Sequence, residues 1–177
     1  PQSSYEERRQ RKRKKRLRRR ITVISILIAG AAIGILFTPL FNLNEVVLNG
    51  NERITYNEII KKGNIVTGKN LFKLSIKKTG ESISKIPYVN SIEVRRKLPD
   101  KLVISITESI PMAYVKIKDS YGVIDKNGKA LEKIKDTGVY NIPELLDISA
   151  EKFTPSEKIS VKEEEKFKKT LEILRDL

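Results

Sequence analysis

The first 41 residues constrain the rest of the chain more than any other stretch. Eleven of the thirteen residues from Arg8 to Arg20 are Lys or Arg, and the twenty-one from Ile21 to Phe41 carry no charge. Twenty-one helical residues at about 1.5 Å each reach roughly 31 Å, the thickness of a bilayer's hydrocarbon core. Twelve of those residues are Ile, Val, Leu or Phe. Each such side chain favours insertion near a helix centre by roughly 0.3–0.6 kcal/mol. Thr22, Ser25 and Thr38 can return their hydroxyls to backbone carbonyls, and Pro39 stands near the far end, where a helix stops. The pattern predicts a basic arm over 1–20 and a transmembrane helix over 21–41.

The flanking charges give a direction. Residues 1–20 carry eleven basic and two acidic side chains, a net of +9, whereas residues 42–56 sum to −1. Basic flanks stay in the cytoplasm, which predicts a single-pass type II protein with residues 42–177 extracytoplasmic. A cleaved signal peptide fits poorly, because the apolar run is long and ends Phe37-Thr38-Pro39-Leu40-Phe41 with no small-residue cleavage site. Nucleic-acid binding by the basic run also fits poorly, since Tyr5 is its only aromatic neighbour and no stacking platform exists. A topogenic role with some contact to anionic headgroups is the simpler reading. Within the apolar run, Gly30 and Gly34 form a G-x-x-x-G that would let a second membrane helix approach closely.

The remaining 136 residues suffice for two small domains or one medium one. Cysteine and histidine are both absent. That removes disulfides, thiolate nucleophiles, the commonest general base and the commonest metal ligand. Neither a cofactor nor a metal site is expected. The chain starts at Pro1 rather than Met and ends inside a helix-like pattern, so a fragment is expected.

Residues 42–111 read as strand, helix, helix, strand, strand. Leu43 to Leu48 is a short apolar run closed by Asn49-Gly50-Asn51. Thr55 with Glu58 makes a capping box, and that helix stops at Gly63. Ser75 caps a second helix carrying Ile76, Ile83 and Ile86, which Pro87 ends. Ile92, Val94 and Leu98 alternate with charged residues, Leu98 to Lys101 turns, and Leu102, Ile104 and Ile106 return. Gly63, Gly68 and Lys69 imitate a phosphate-binding P-loop. Asn70 stands where the Mg²⁺-binding hydroxyl belongs, however, and no buried strand precedes the stretch. Leu71, Phe72 and Leu74 are instead expected to plug the gap between helices and sheet.

Residues 112–177 read as further β structure. Strands are predicted over 112–118, 121–124 and 140–148, with a hairpin turn at Asp125-Lys126-Asn127-Gly128. That turn lacks the remaining ligands of a Ca²⁺ loop. Ser160 with Glu163 resembles a capping box for a last helix striped by Phe167, Leu171 and Leu174. The strands at 88–98, 102–108 and 112–118 are candidates for an open edge that could accept a partner's strand.

The ordered set of short motifs resembles the FtsQ/DivIB cell-division family. It comprises Phe41 to Asn51, Gly68-Lys69-Asn70-Leu71-Phe72, Pro87-Tyr88-Val89, Arg95 to Pro99, Glu108 to Ala113, and Tyr121 to Gly128. The resemblance implies an α+β protein: one membrane helix, a POTRA domain (β-α-α-β-β) and a mainly antiparallel β domain with a helix, cut short at its C-terminus. It marks Gly50, Asn51, Gly68, Pro99, Glu108, Pro111, Asp125 and Gly128 as signature structural residues. Ser109 departs from the family, which often has Arg there. The resemblance further implies a bitopic scaffold without catalytic residues, concentrated at the division septum. It would bind FtsL-like and DivIC/FtsB-like single-pass partners and help time septal peptidoglycan synthesis. Two other classes share features with the chain. A membrane-anchored Ser–Lys hydrolase lacks any motif here that would seat its site, and a POTRA-type protein-transport module would need several such modules and a barrel.

Overall fold

The basic and apolar runs form one continuous helix, α1 (Gln2–Leu36), in a computed structural model that describes residues 2–175 and side chains from Lys14 onward. The basic side chains before Lys14 therefore lie outside the described ones. The stretch Lys14–Leu36, 23 residues, is long and apolar enough to cross a membrane. Its apolar side chains are bare in the isolated chain, as lipid-facing side chains must be. The helix gives out at Leu36, short of Phe41. Thr38 precedes a proline, which disfavours the α region, and it is extended at φ −72°, ψ 160°. Pro39–Phe41 then make a single 3-10 turn.

The next unit is a three-stranded sheet with two helices on one face. Strand β1 (Glu45–Asn49) leads into α2 (Tyr56–Lys62), a 3-10 turn at Leu71–Lys73 and α3 (Ile76–Ile83). The hairpin of β2 (Val89–Lys97) and β3 (Lys101–Glu108) follows, and the sheet order is β1-β3-β2. β1 runs parallel to β3, with Val46 beside Leu102 and Leu48 beside Ile104. This pairing needs a crossover, and the two helices supply it. Thr55 Oγ1 accepts the Glu58 amide and Ser75 Oγ accepts the Lys78 amide, as the capping pattern requires. α3 ends at Ile83, earlier than expected, yet Ile86 remains in the core. Along β3, Leu102, Ile104 and Ile106 point inward and join Ile59, Leu71 and Ile83.

The second unit is a five-stranded sheet, β6-β5-β4-β7-β8. Its strands are β4 (Ala113–Ile117), β5 (Ser120–Ile124), β6 (Ala130–Ile134), β7 (Glu144–Lys152) and β8 (Ser160–Val161). All its pairings are antiparallel except β4 with β7. Helix α4 (Glu164–Arg175) lays Phe167, Leu171 and Leu174 onto the core formed by Val115, Ile124, Ile148 and Phe153.

Several sequence expectations change in this unit. Ser160 is no helix cap: it pairs with Lys152 in the sheet, and α4 starts at Glu164. Tyr140 is no strand residue. Its amide donates to Tyr114 Oη at 2.6 Å, and its carbonyl accepts from the same hydroxyl at 2.9 Å. β7 begins only at Glu144. β6 was not expected at all, because Ala130-Leu131-Glu132-Lys133-Ile134 has little strand propensity and takes its form from β5. Two of the three candidate edges are interior. β3 lies between β1 and β2, and β4 between β5 and β7, so only β2 of the three is an edge strand.

Candidate interaction site at the joint between the two sheets

The end of the first sheet remote from α1 meets the second sheet, and most of the signature residues gather there. Gly50 turns the chain after β1 at φ +77°, and a Cβ on it would lie 2.2 Å from the Ile106 carbonyl oxygen. Positive φ and this close approach both require glycine. Asn51 Nδ2 donates to the Ile54 carbonyl at 3.1 Å, holding the following turn. Glu108, the last residue of β3, fixes that turn from the other side. Its carboxylate accepts the amides of Glu52, Arg53 and Ile54, all at 3.0–3.1 Å. Pro111 is buried between Glu108 and β4.

Asp125 performs the matching task in the second sheet. It is 2% exposed, and its Oδ1 accepts the Asn127 and Lys129 amides at 2.8 and 2.9 Å. Its Oδ2 accepts the Ser109 hydroxyl at 3.0 Å. Ser109, the residue that departs from the family pattern, is thus one of those that tie the two units together here. Its amide also donates to the Tyr88 carbonyl at 2.7 Å. Gly128 has φ +75°, and a Cβ there would press on the Phe167 ring at 2.9 Å.

Further contacts gather at the joint. Lys129 Nζ donates to the Val89 carbonyl and Ser156 Oγ to the Lys85 carbonyl, each at 2.5 Å. Tyr88 Oη donates to Glu132 Oε1 at 2.7 Å, and Tyr140 Oη donates to the same oxygen at 2.5 Å. The Arg53 guanidinium lies over both tyrosine rings, 5.6 Å from Tyr88 and 5.3 Å from Tyr140, a cation–π arrangement. These groups line a cleft of about 340 Å³ with Ile54, Pro87 and Leu131. Burial, then the hydrogen bonds to Tyr140 and Glu132, holds the Tyr88 hydroxyl well above the usual tyrosine range. Burial pushes the Lys129 ammonium down, and Asp125 partly offsets it.

The other signature residues lie elsewhere. Gly68 has φ +80° and its amide donates to the Leu43 carbonyl at 2.7 Å, next to the end of α1. Pro99 follows a cis peptide in the β2–β3 turn, beside Asp100, whose carbonyl accepts the Asn44 amide. Gly30 and Gly34 sit on α1 with open space around them. Among the described residues no group of three acidic, His or Cys side chains could hold a metal ion. Sequence reasoning missed the Arg53–Tyr88–Glu132–Tyr140 cluster. Tyr88 stands 44 residues from Glu132 and 52 from Tyr140, so no local spacing joins them. The only hint was Pro87-Tyr88-Val89 as a family motif with no role attached.

The sequence matches known proteins. Residues 41–109 match the family model described as a POTRA domain, FtsQ-type. The chain is 31% identical over 159 residues to a cell division protein DivIB of Clostridium botulinum, covering 89% of this chain and 60% of that protein. It is 32% identical over 107 residues to a cell division protein DivIB of Clostridium acetobutylicum, covering 60% of this chain and 43% of that protein. A cell division protein FtsQ of Corynebacterium glutamicum is 29% identical over 111 residues, 63% of this chain and 50% of its own length. The chain thus spans about half the length of these curated relatives.

Proposed function

The chain belongs to the FtsQ/DivIB cell-division family, and from that premise we propose that it is a bitopic membrane scaffold of the bacterial divisome. α1 anchors it, the basic end of α1 stays in the cytoplasm, and the two sheet units stand outside the membrane. There they bind small single-pass division proteins of the FtsL and DivIC/FtsB kinds and help regulate septal peptidoglycan synthesis. The observation that carries this reading is the order of parts: one bare apolar helix, an FtsQ-type POTRA unit, then a second sheet fastened to it. Such a body works by holding partners in place, and no catalytic role is assigned to any residue. Gly30 and Gly34 are offered as the face on which a partner's membrane helix packs.

Affinity purification of the full chain from crosslinked membranes of dividing cells tests the partner assignment. Recovery of FtsL-like and DivIC-like chains is expected. Their absence, with the bait itself recovered from the membrane fraction, would rule out the scaffold role.

A further inference from the structure

The first unit is fastened to the exit of α1 as well as to the second sheet. Asn70 Nδ2 donates to the Leu36 carbonyl at 3.0 Å and reaches the Thr38 carbonyl at 3.4 Å. Phe72 packs edge-on against Phe41, ring centres 5.4 Å apart. The loop carrying Asn70 therefore starts where the apolar helix stops, at the boundary between hydrocarbon and headgroups. The headgroup layer beyond that boundary is about 5–7 Å deep on each side.

A groove of about 410 Å³ opens at this loop, between the end of α2 and the start of α3. Lys69, Lys73 and Lys78 rim it, and Asn64, Ser75 and Ser82 add neutral polar groups. All three lysines are exposed, and among the described residues none forms an ion pair. The charge imbalance extends past the groove. From Ile59 to Gly80 the sequence holds six lysines and no Asp or Glu. A cationic surface usually means no more than solvated lysines. Here it is concave, its floor carries Leu43, Val66, Leu71 and Leu74 beside hydroxyl and amide groups, and Asn70 in its wall bonds the Leu36 carbonyl at the end of α1.

We propose that this groove binds the phosphate of anionic phospholipid headgroups in the leaflet from which the chain emerges. The lysines supply the charge, each contributing on the order of a fivefold local enrichment of anionic lipid near the surface. Asn64, Ser75 and Ser82 supply neutral hydrogen-bonding groups to the headgroup. The proposal rests on α1 being anchored in the membrane, and it is independent of the division role.

The chain has no cysteine, so single labels can be introduced without removing any residue. Thr67, exposed next to the groove, takes a fluorophore as Thr67→Cys in the full chain reconstituted in phosphatidylcholine nanodiscs. Each preparation contains a small fraction of lipid spin-labelled at the headgroup, either phosphatidylglycerol or phosphatidylcholine. Quenching by the anionic probe is expected to exceed that by the zwitterionic one by about fivefold or more. The excess should vanish in salt of about 0.5 M, where the screening length falls to a few ångströms. It should vanish in K69Q/K73Q/K78Q and persist in K116Q/K118Q/K135Q. Equal quenching by the two lipids in the unmutated groove would overturn the proposal, and that arm depends on no lysine variant folding. Persistence of the preference in the groove variant would overturn it too. Loss of the preference on adding millimolar inorganic phosphate at constant ionic strength would reassign the groove to free phosphate and overturn the lipid assignment. A separate Ile28→Cys label, quenched by nitroxide on the acyl chains, reports insertion. No quenching there removes the anchoring premise, whereas quenching there without a preference at Thr67 removes the groove alone.

Discussion

Glu108 holds three consecutive amides of the turn after β1 with one carboxylate. Charge-assisted bonds of this kind contribute about 1.5–3 kcal/mol where water is partly excluded. Glu108→Ala is therefore expected to cost about 2 kcal/mol, read as a lowered unfolding midpoint of the full chain in detergent by near-ultraviolet circular dichroism. An unchanged midpoint would mean that water replaces the carboxylate. Tyr88 gives a pH prediction. Its pKa is raised in the folded protein, so above about pH 10 the unfolded chain loses a proton that the folded one keeps. The unfolded state then binds fewer protons, and stability falls as pH rises. The fall between roughly pH 9 and 11 should be smaller in Tyr88→Phe than in the parent. Parallel pH curves for the two would contradict the half-buried Tyr88–Glu132 pairing.

At the scale of elements, the legible parts of the fold were those with a local cause. Thr55 and Ser75 cap their helices because side-chain oxygen and free amide are three residues apart. Phe167, Leu171 and Leu174 face the core because helical spacing leaves them no alternative. The β2–β3 hairpin followed from alternation about a short turn. What stayed hidden has a distant cause. β6 is a strand only because β5 offers an edge, and Tyr140 leaves the strand because Tyr114 captures its backbone. Which strand is interior depends on the crossover that inserts β3 beside β1, and alternation says nothing about it. The site divided in the same way: Gly50 and Gly128 were visible as turn residues, whereas Arg53 and Tyr88 met only in three dimensions. The link from α1 to the first sheet is also of this distant kind. It runs through Asn70 to the Leu36 carbonyl, and through Phe72 to Arg96, whose guanidinium donates to the Leu71 and Leu74 carbonyls at 3.0 and 2.6 Å. Asn70→Ala should loosen it. Spin labels at Ile28→Cys and Lys97→Cys are expected to give a narrow distance distribution in the parent and a broader one in the variant. Equal widths would show that Asn70 carries none of the constraint.

The whole molecule reads as a membrane helix and two sheet units joined in series at two places. The proximal link fixes the first sheet to the helix, and Ser109–Asp125, Tyr88–Glu132 and Lys129–Val89 fix the second sheet to the first. On the proposed reading, this two-sheet body offers its surfaces to partner proteins outside the membrane. The central claim is that this body serves division, and dividing cells test it most directly. A fluorescent protein fused to the N-terminus of the full chain should form a band at mid-cell before constriction and follow the closing septum. A signal spread evenly around the membrane through the whole cell cycle, from a fusion shown to be intact, would contradict the account.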